Sequence, residues 1–159
     1  AYSMTGWRIG YAAGPEAILR AMTNVQSQST SNPTSISQVA AEAALNGDQG
    51  CITPMLDAFK TRHRYVVDAL NAIPGFKCVD SGGAFYAFPD VRPAIQNLLA
   101  RDVIEEGTDI AFSEYLLESA DVAVVPGSAF GAEGYIRLSF ATSQANLEKA
   151  LKRIAQALA

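Results

Sequence analysis

The sequence predicts a mixed fold, α/β or α+β, on three observations. Apolar residues alternate with a period of two in several short runs, they recur at helical spacing in longer ones, and the two kinds of run follow each other, separated by Gly, Pro and Ser. With 159 residues, 49% of them hydrophobic, the chain buries one ordinary core and part of a second. No apolar run reaches the roughly 18 to 20 residues that cross a bilayer, and no charged-then-apolar leader opens the chain, so a cytoplasmic setting is expected. The net charge of −4 is spread over mixed stretches. It offers no basic patch to nucleic acid or to an anionic membrane.

The elements follow in order. Trp7, Ile9, Tyr11 and Ala13 alternate with Arg8, Gly10 and Ala12, which predicts a strand with one bulky face and one nearly bare face, Arg8 on the bare one. Gly14-Pro15 ends it, and Pro15 suits the first turn of a helix to about Thr23. Residues 26–33 are a polar, Ser-rich connection. Ile36, Val39, Ala40, Ala43 and Ala44 fall at helical spacing until Asn46-Gly47 stops them. In the longest helix Thr53 is the expected N-cap, Pro54 takes the first position and Pro74-Gly75 ends it. Its apolar line is Leu56, Phe59, Val66, Leu70 and Ile73.

Residues 76–79 and 84–88 read as two strands joined by Asp80-Ser81-Gly82-Gly83. Residues 91–107 are ambiguous. A helix is expected over residues 109–120 and a short strand over 122–125, closed by Pro126-Gly127. Residues 135–141 alternate most cleanly, with Ile136, Leu138 and Phe140 on one face and Tyr135, Arg137, Ser139 and Ala141 on the other. Ser143 caps a last helix whose stripe is Leu147, Leu151, Ile154 and Leu158.

Few residues call for chemistry on their own. Cys51 and Cys78 lack metal-ligand spacing and are expected as two reduced, buried thiols. His63, the only histidine, lies on the apolar line of the longest helix, and the sequence ties no carboxylate or serine to it, so it receives no role. No metal site is expected. Phe85 and Phe130 suit the wall of a substrate channel as well as they suit a core.

Five segments, in order, carry a resemblance: Thr5-Gly6-Trp7-Arg8-Ile9-Gly10, Gln28-Ser29-Thr30, Ser81-Gly82-Gly83-Ala84-Phe85-Tyr86, Val124-Val125-Pro126-Gly127-Ser128-Ala129-Phe130-Gly131 and Ile136-Arg137-Leu138-Ser139-Phe140-Ala141. Together they resemble class I aminotransferases, the fold-type I enzymes dependent on pyridoxal phosphate, most closely the bacterial aspartate aminotransferase branch. The resemblance implies an α/β protein in its C-terminal part: residues 1–60 as the end of the large cofactor domain with the start of the interdomain helix, and residues 61–159 as an α+β small domain. It also implies transfer of an amino group between an L-amino acid, aspartate, and a 2-oxo acid. The implied parent is a homodimer, with Gln28 to Asn32 near the partner subunit.

The resemblance further implies two site residues. Arg8 matches the arginine that holds the cofactor phosphate, and Arg137 the one that grips the substrate α-carboxylate. Both anions suit a planar guanidinium fork that never loses its charge. The cofactor-binding lysine of the family falls just before Ala1, so no catalytic residue is assigned and the chain alone is expected to be inactive. Three other readings share these motifs: an aminotransferase-like lyase, an aromatic transaminase, and the noncatalytic effector domain of a transcription regulator.

Overall fold

The computed structural model describes residues 1–159, which form two compact units, Ala1–Leu56 and Asp57–Ala159. The first unit holds a 3-10 turn at Thr5–Trp7, helix α1 (Glu16–Ser27), helix α2 (Ser35–Asn46) and the opening of α3 (Ile52–Asn71). The strand expected over Trp7 to Ala13 does not form. An isolated extended segment has no neighbour to take up its N–H and C=O groups, and alternation alone cannot supply one. Arg8 instead adopts a left-handed conformation, φ 51°, closing the 3-10 turn.

Helix α1 starts directly after Pro15, as its fixed φ favours, and runs one turn past Thr23. Helix α2 is capped by Thr34, whose Oγ1 accepts from the Ser37 N–H at 3.4 Å. Ser37 in turn donates its hydroxyl to the Trp7 carbonyl at 2.8 Å, tying the first turn of α2 to the 3-10 turn. Helix α3 begins at Ile52, so Thr53 lies inside it and does not cap it. No hydrophobic side chain of residues 1–56 is buried; Ile18, Met22 and Val25 form an exposed stripe on α1, and Ile36 and Val39 are exposed on α2. The amphipathic pattern is present, but the apolar faces meet no core within this unit.

The second unit contains all the buried hydrophobic residues. Its sheet has three antiparallel strands in the order β1-β3-β2: β1 is Tyr86–Ala87, β2 is Val125–Pro126 and β3 is Ile136–Ser139. Tyr86 faces Ser139 and Val125 faces Arg137 in register. Residues 76–79, expected as a strand, contribute only a bridge from Lys77 to Asp90, which bridges on to Tyr135. Along β3 and just beyond it, Ile136, Leu138 and Phe140 are buried, while Arg137 is half-buried and Ser139 exposed. The alternation of that segment sets which side chains join the core.

Helix α4 (Arg92–Ala100) fills the stretch that the sequence left ambiguous, with Pro93 in its first turn and Ala94, Ile95 and Leu98 buried. Helix α5 (Asp109–Ala120) and helix α6 (Gln144–Leu158) form over the expected residues, α6 behind its expected Ser143 cap, with Thr108 Oγ1 accepting from Ala111 N at 3.1 Å and Ser143 Oγ from Asn146 N at 3.2 Å. Leu147, Leu151 and Ile154 of α6 join Phe112 and Leu116 of α5, Leu70 of α3, Leu98, Ile136 and Phe140 in one core. Ser143→Ala removes one cap and is expected to lower the unfolding free energy by about 1 kcal/mol, read from a urea titration.

At the sheet edge, Arg92 donates through Nε to Asp90 Oδ1 at 2.9 Å. That bond holds the Asp90 carboxyl below its ordinary value of 3.8. A depressed folded-state value stabilises the fold above the unfolded one, and the contribution is lost as pH falls through the folded value. Asp90→Asn is therefore expected to flatten the acid limb of a plot of unfolding midpoint against pH, below about pH 4.

Candidate functional site

In the second unit the sheet positions one arginine in an unusual setting. Arg137 lies mid-strand on β3, and the register makes Tyr86 its diagonal neighbour on the same face. The guanidinium carbon stands 4.3 Å from the Tyr86 ring centroid and 4.4 Å from that of Phe130. Both rings thus stand at cation–π distance from the guanidinium and stabilise it there. None of its N–H groups makes a hydrogen bond or ion pair within the chain. A guanidinium held among aromatic rings, with no partner in the chain for its N–H groups, suits a planar, two-oxygen anion.

Phe130 is brought there by a turn rather than by a strand. It closes the 3-10 turn Gly127–Phe130, which follows β2 directly. Only glycine fits at the start of that turn, because a Cβ on Gly127 would lie 2.4 Å from the Ala132 carbonyl oxygen and 2.7 Å from that of Tyr135. The next residue is anchored by a buried carboxylate: Ser128 N–H donates to Asp109 Oδ2 at 2.6 Å, and Asp109 is only 3% exposed. Phe130 remains half exposed and meets Phe88 edge-on at 6.3 Å between centroids, while Phe88 stacks on Tyr135 at 5.3 Å. Phe130 therefore lines the arginine, whereas Phe85 packs against the core. Tyr135 shares a face with Arg137 but holds Arg92, at 5.6 Å from its ring.

Tyr86 and Asp109 are the residues that sequence reasoning missed. The signal for Tyr86 was its place in the Phe85-Tyr86 step opposite an alternating strand; Asp109 carried none beyond its position at a helix start. His63 also acquires partners that the sequence did not reveal. Its Nδ1 lies 3.4 Å from Asp80 Oδ1, its Nε2 lies 3.2 Å from Ser81 Oγ, and its ring packs on Phe140 at 5.3 Å.

In the first unit Arg8 is exposed, not set on a strand face. Its Nη1, at 3.1 Å, and its backbone N–H both donate to the Thr5 carbonyl, and the remaining guanidinium N–H groups have no partner in the chain. A Cβ placed on Gly6 or on Gly10 would meet nothing within 4 Å. The two arginines lie in different units, and each is positioned by its own local structure.

The cysteines divide. Cys78 is buried, and burial pushes its thiol above the ordinary value, with the Asp80 charge adding to the effect. Cys51 is exposed, contrary to the expectation of two buried thiols, because it precedes the first turn of α3 in a unit that lacks a core. Iodoacetamide is therefore expected to alkylate Cys51 first and to leave Cys78 unmodified until the second unit unfolds, as read by intact mass.

Residues 1–154 match the family model described as aminotransferase class I and II. The chain belongs to that family. Over 158 residues it is 63% identical to the aspartate/prephenate aminotransferase of Nitrosomonas europaea, covering 99% of this chain and 40% of that relative. The solved aspartate aminotransferase of Rhizobium meliloti superposes with a TM-score of 0.80 at 46% identity, covering 99% of this chain and 39% of that one. The aromatic aminotransferase of Pyrococcus horikoshii superposes with a TM-score of 0.81 at 37% identity, covering 98% and 40%. This aminotransferase chain thus spans about 40% of the length of such relatives, and both arginines lie inside the matched segment. Its fold is that of a partial fold-type I aminotransferase, mixed helices with a small antiparallel sheet.

Proposed function

We propose that this chain is the C-terminal part of a pyridoxal-phosphate-dependent aspartate aminotransferase, in which Arg137 grips the substrate α-carboxylate and Arg8 the cofactor phosphate. The observation that carries the reading is the Arg137 guanidinium, 4.3 Å from the Tyr86 ring centroid and 4.4 Å from that of Phe130, with no partner in the chain for its N–H groups. The names of the relatives support aspartate as the amino donor. Residues 1–60 then end the large domain and residues 61–159 form the small one. The exposed stripe on α1 belongs, in this reading, against the rest of the large domain. The parent acts as a homodimer, with Gln28 to Asn32 toward the partner.

The residues present fit one end of the cofactor only. Arg8 offers unpaired guanidinium N–H groups to a phosphate dianion. No lysine occurs in Ala1–Leu56, and the four of the chain are Lys60, Lys77, Lys149 and Lys152, so this unit offers the aldehyde end no amine. When bound, pyridoxal phosphate supplies the electron sink that makes removal of a Cα proton feasible.

The chain's own contribution is binding and orientation. Two parallel N–H···O bonds from Arg137 fix the plane of the α-carboxylate, and with it the direction of the Cα–H bond. The aromatic rings beside the guanidinium displace water from it and strengthen those bonds. Amines that lack a carboxylate leave the fork unsatisfied and are rejected. The intact enzyme, saturated with pyridoxal phosphate, is expected to change its absorption spectrum on addition of L-aspartate; no change with any amino acid would end this reading. The 159-residue chain alone is expected to show no transaminase turnover.

A further inference from the structure

We propose that His63 is a positioning residue for the Arg137 clamp, acting as a two-handed latch on the loop that delivers Tyr86. The proposal rests on the reading of Arg137 as the carboxylate grip. Residues 79–84 connect two tethers. On one side Asn71 brackets Cys78, accepting from its N–H at 2.8 Å and donating to its carbonyl at 3.0 Å. On the other, Phe140 N–H donates to the Phe85 carbonyl at 2.9 Å.

Between those tethers the only polar contacts from another element come from His63, to Asp80 at 3.4 Å and to Ser81 at 3.2 Å. The segment is otherwise prone to move. It holds Gly82 and Gly83, no backbone N–H of 82–84 makes a hydrogen bond, Val79 is exposed, and Ala84 sits at φ 63°. Left-handed backbone disfavours alanine, so something must hold it there. Two residues further on stands Tyr86, one of the two rings beside the Arg137 guanidinium.

The imidazole suits this task because both nitrogens are used at once. With the proton on Nδ1, it turns that N–H toward the Asp80 carboxylate 3.4 Å away while Nε2 accepts from the Ser81 hydroxyl, which then gives up its other acceptor, the Gly83 carbonyl at 3.3 Å. The opposite tautomer would turn a lone pair toward that carboxylate. The ring is half-buried and fixed by Phe140, which itself pairs with Phe85, so the latch and the β1 tether share one support. Asp80 is the only charged group that contacts the imidazole; on α3, Arg62 is turned to the Phe59 ring at 5.7 Å.

His63→Phe tests this, since it keeps a ring on Phe140 and deletes both nitrogens. The paired change Asp80→Ala with Ser81→Ala removes both partners of the imidazole without touching α3, along with the Ser81 bond to the Gly83 carbonyl that His63→Phe leaves in place. In the unmodified 159-residue chain, imidazole 15N shifts should place a proton on Nδ1, and the amides of Gly82 and Gly83 should have order parameters near about 0.85. In both variants those order parameters should fall below about 0.6, the Arg137 Nε–H resonance should shift, and its dissociation constant for succinate should rise about tenfold. A loop that stays ordered, or one that loosens while Arg137 keeps its resonance and its succinate affinity, overturns the latch alone. An Arg137 resonance in the unmodified chain that ignores succinate overturns the clamp reading and this proposal with it.

Discussion

If Arg137 grips the α-carboxylate as proposed, Arg137→Lys in the proposed intact aspartate aminotransferase is expected to lower kcat/KM for aspartate by about 10²- to 10⁴-fold, because two charge-assisted hydrogen bonds of roughly 1.5 to 3 kcal/mol each are at stake. Lysine keeps the charge, so the loss isolates geometry. Its ammonium is a point donor on a flexible stem and cannot present two parallel N–H groups beside the Tyr86 and Phe130 rings, 4.3 and 4.4 Å from the guanidinium carbon. Steady-state kinetics with aspartate and a 2-oxo acid measure the effect. The variant's fold should be unchanged, since the Arg137 guanidinium makes no hydrogen bond or ion pair within the chain and one side of its strand is solvent-facing. A loss under about threefold would mean that the carboxylate is held elsewhere.

Phe140→Ala is expected to cost the second unit about 3 to 5 kcal/mol. Phe140 is 1% exposed, takes the edge of Phe59 at 6.2 Å between centroids, supports His63 at 5.3 Å, and pairs its N–H with Phe85. Truncation leaves a cavity among aromatic neighbours that are themselves held by helices and cannot collapse inward. The loss should appear in urea denaturation as a lower midpoint, and the transition reports this unit because residues 1–56 contribute no buried hydrophobic side chain. Conserved stability in the variant would show that the core is centred elsewhere, on Phe112 and Leu116.

What the sequence disclosed follows a physical line. Helices α2 and α6 were legible because their signals are local: apolar spacing stopped by Asn46-Gly47 in α2, and the Ser143 cap with its apolar stripe in α6. The β3 segment was legible for the same reason, since alternation is local. The strand expected around Arg8 was wrong because strand formation depends on a neighbour, which no run of residues encodes by itself. Helix α4 was readable in principle from Pro93 with Ala94 and Leu98, but its flanks lack a capping hydroxyl to mark its start.

The site divides in the same way. Arg8 and Arg137 came from short motifs, whereas Tyr86, Phe130 and Arg137 meet only after strand register and a 3-10 turn are formed. His63 meets Asp80 and Ser81 across 17 and 18 positions, so no pattern within the helix announces them.

The most direct test of the central claim is a crystal structure of the intact enzyme with pyridoxal phosphate and 2-methyl-L-aspartate, which has no Cα proton to lose. The α-carboxylate is expected in two parallel hydrogen bonds with Arg137, the guanidinium still lying beside Tyr86 and Phe130. An α-carboxylate bound by any other residue, with the Arg137 edge left empty, would contradict the claim.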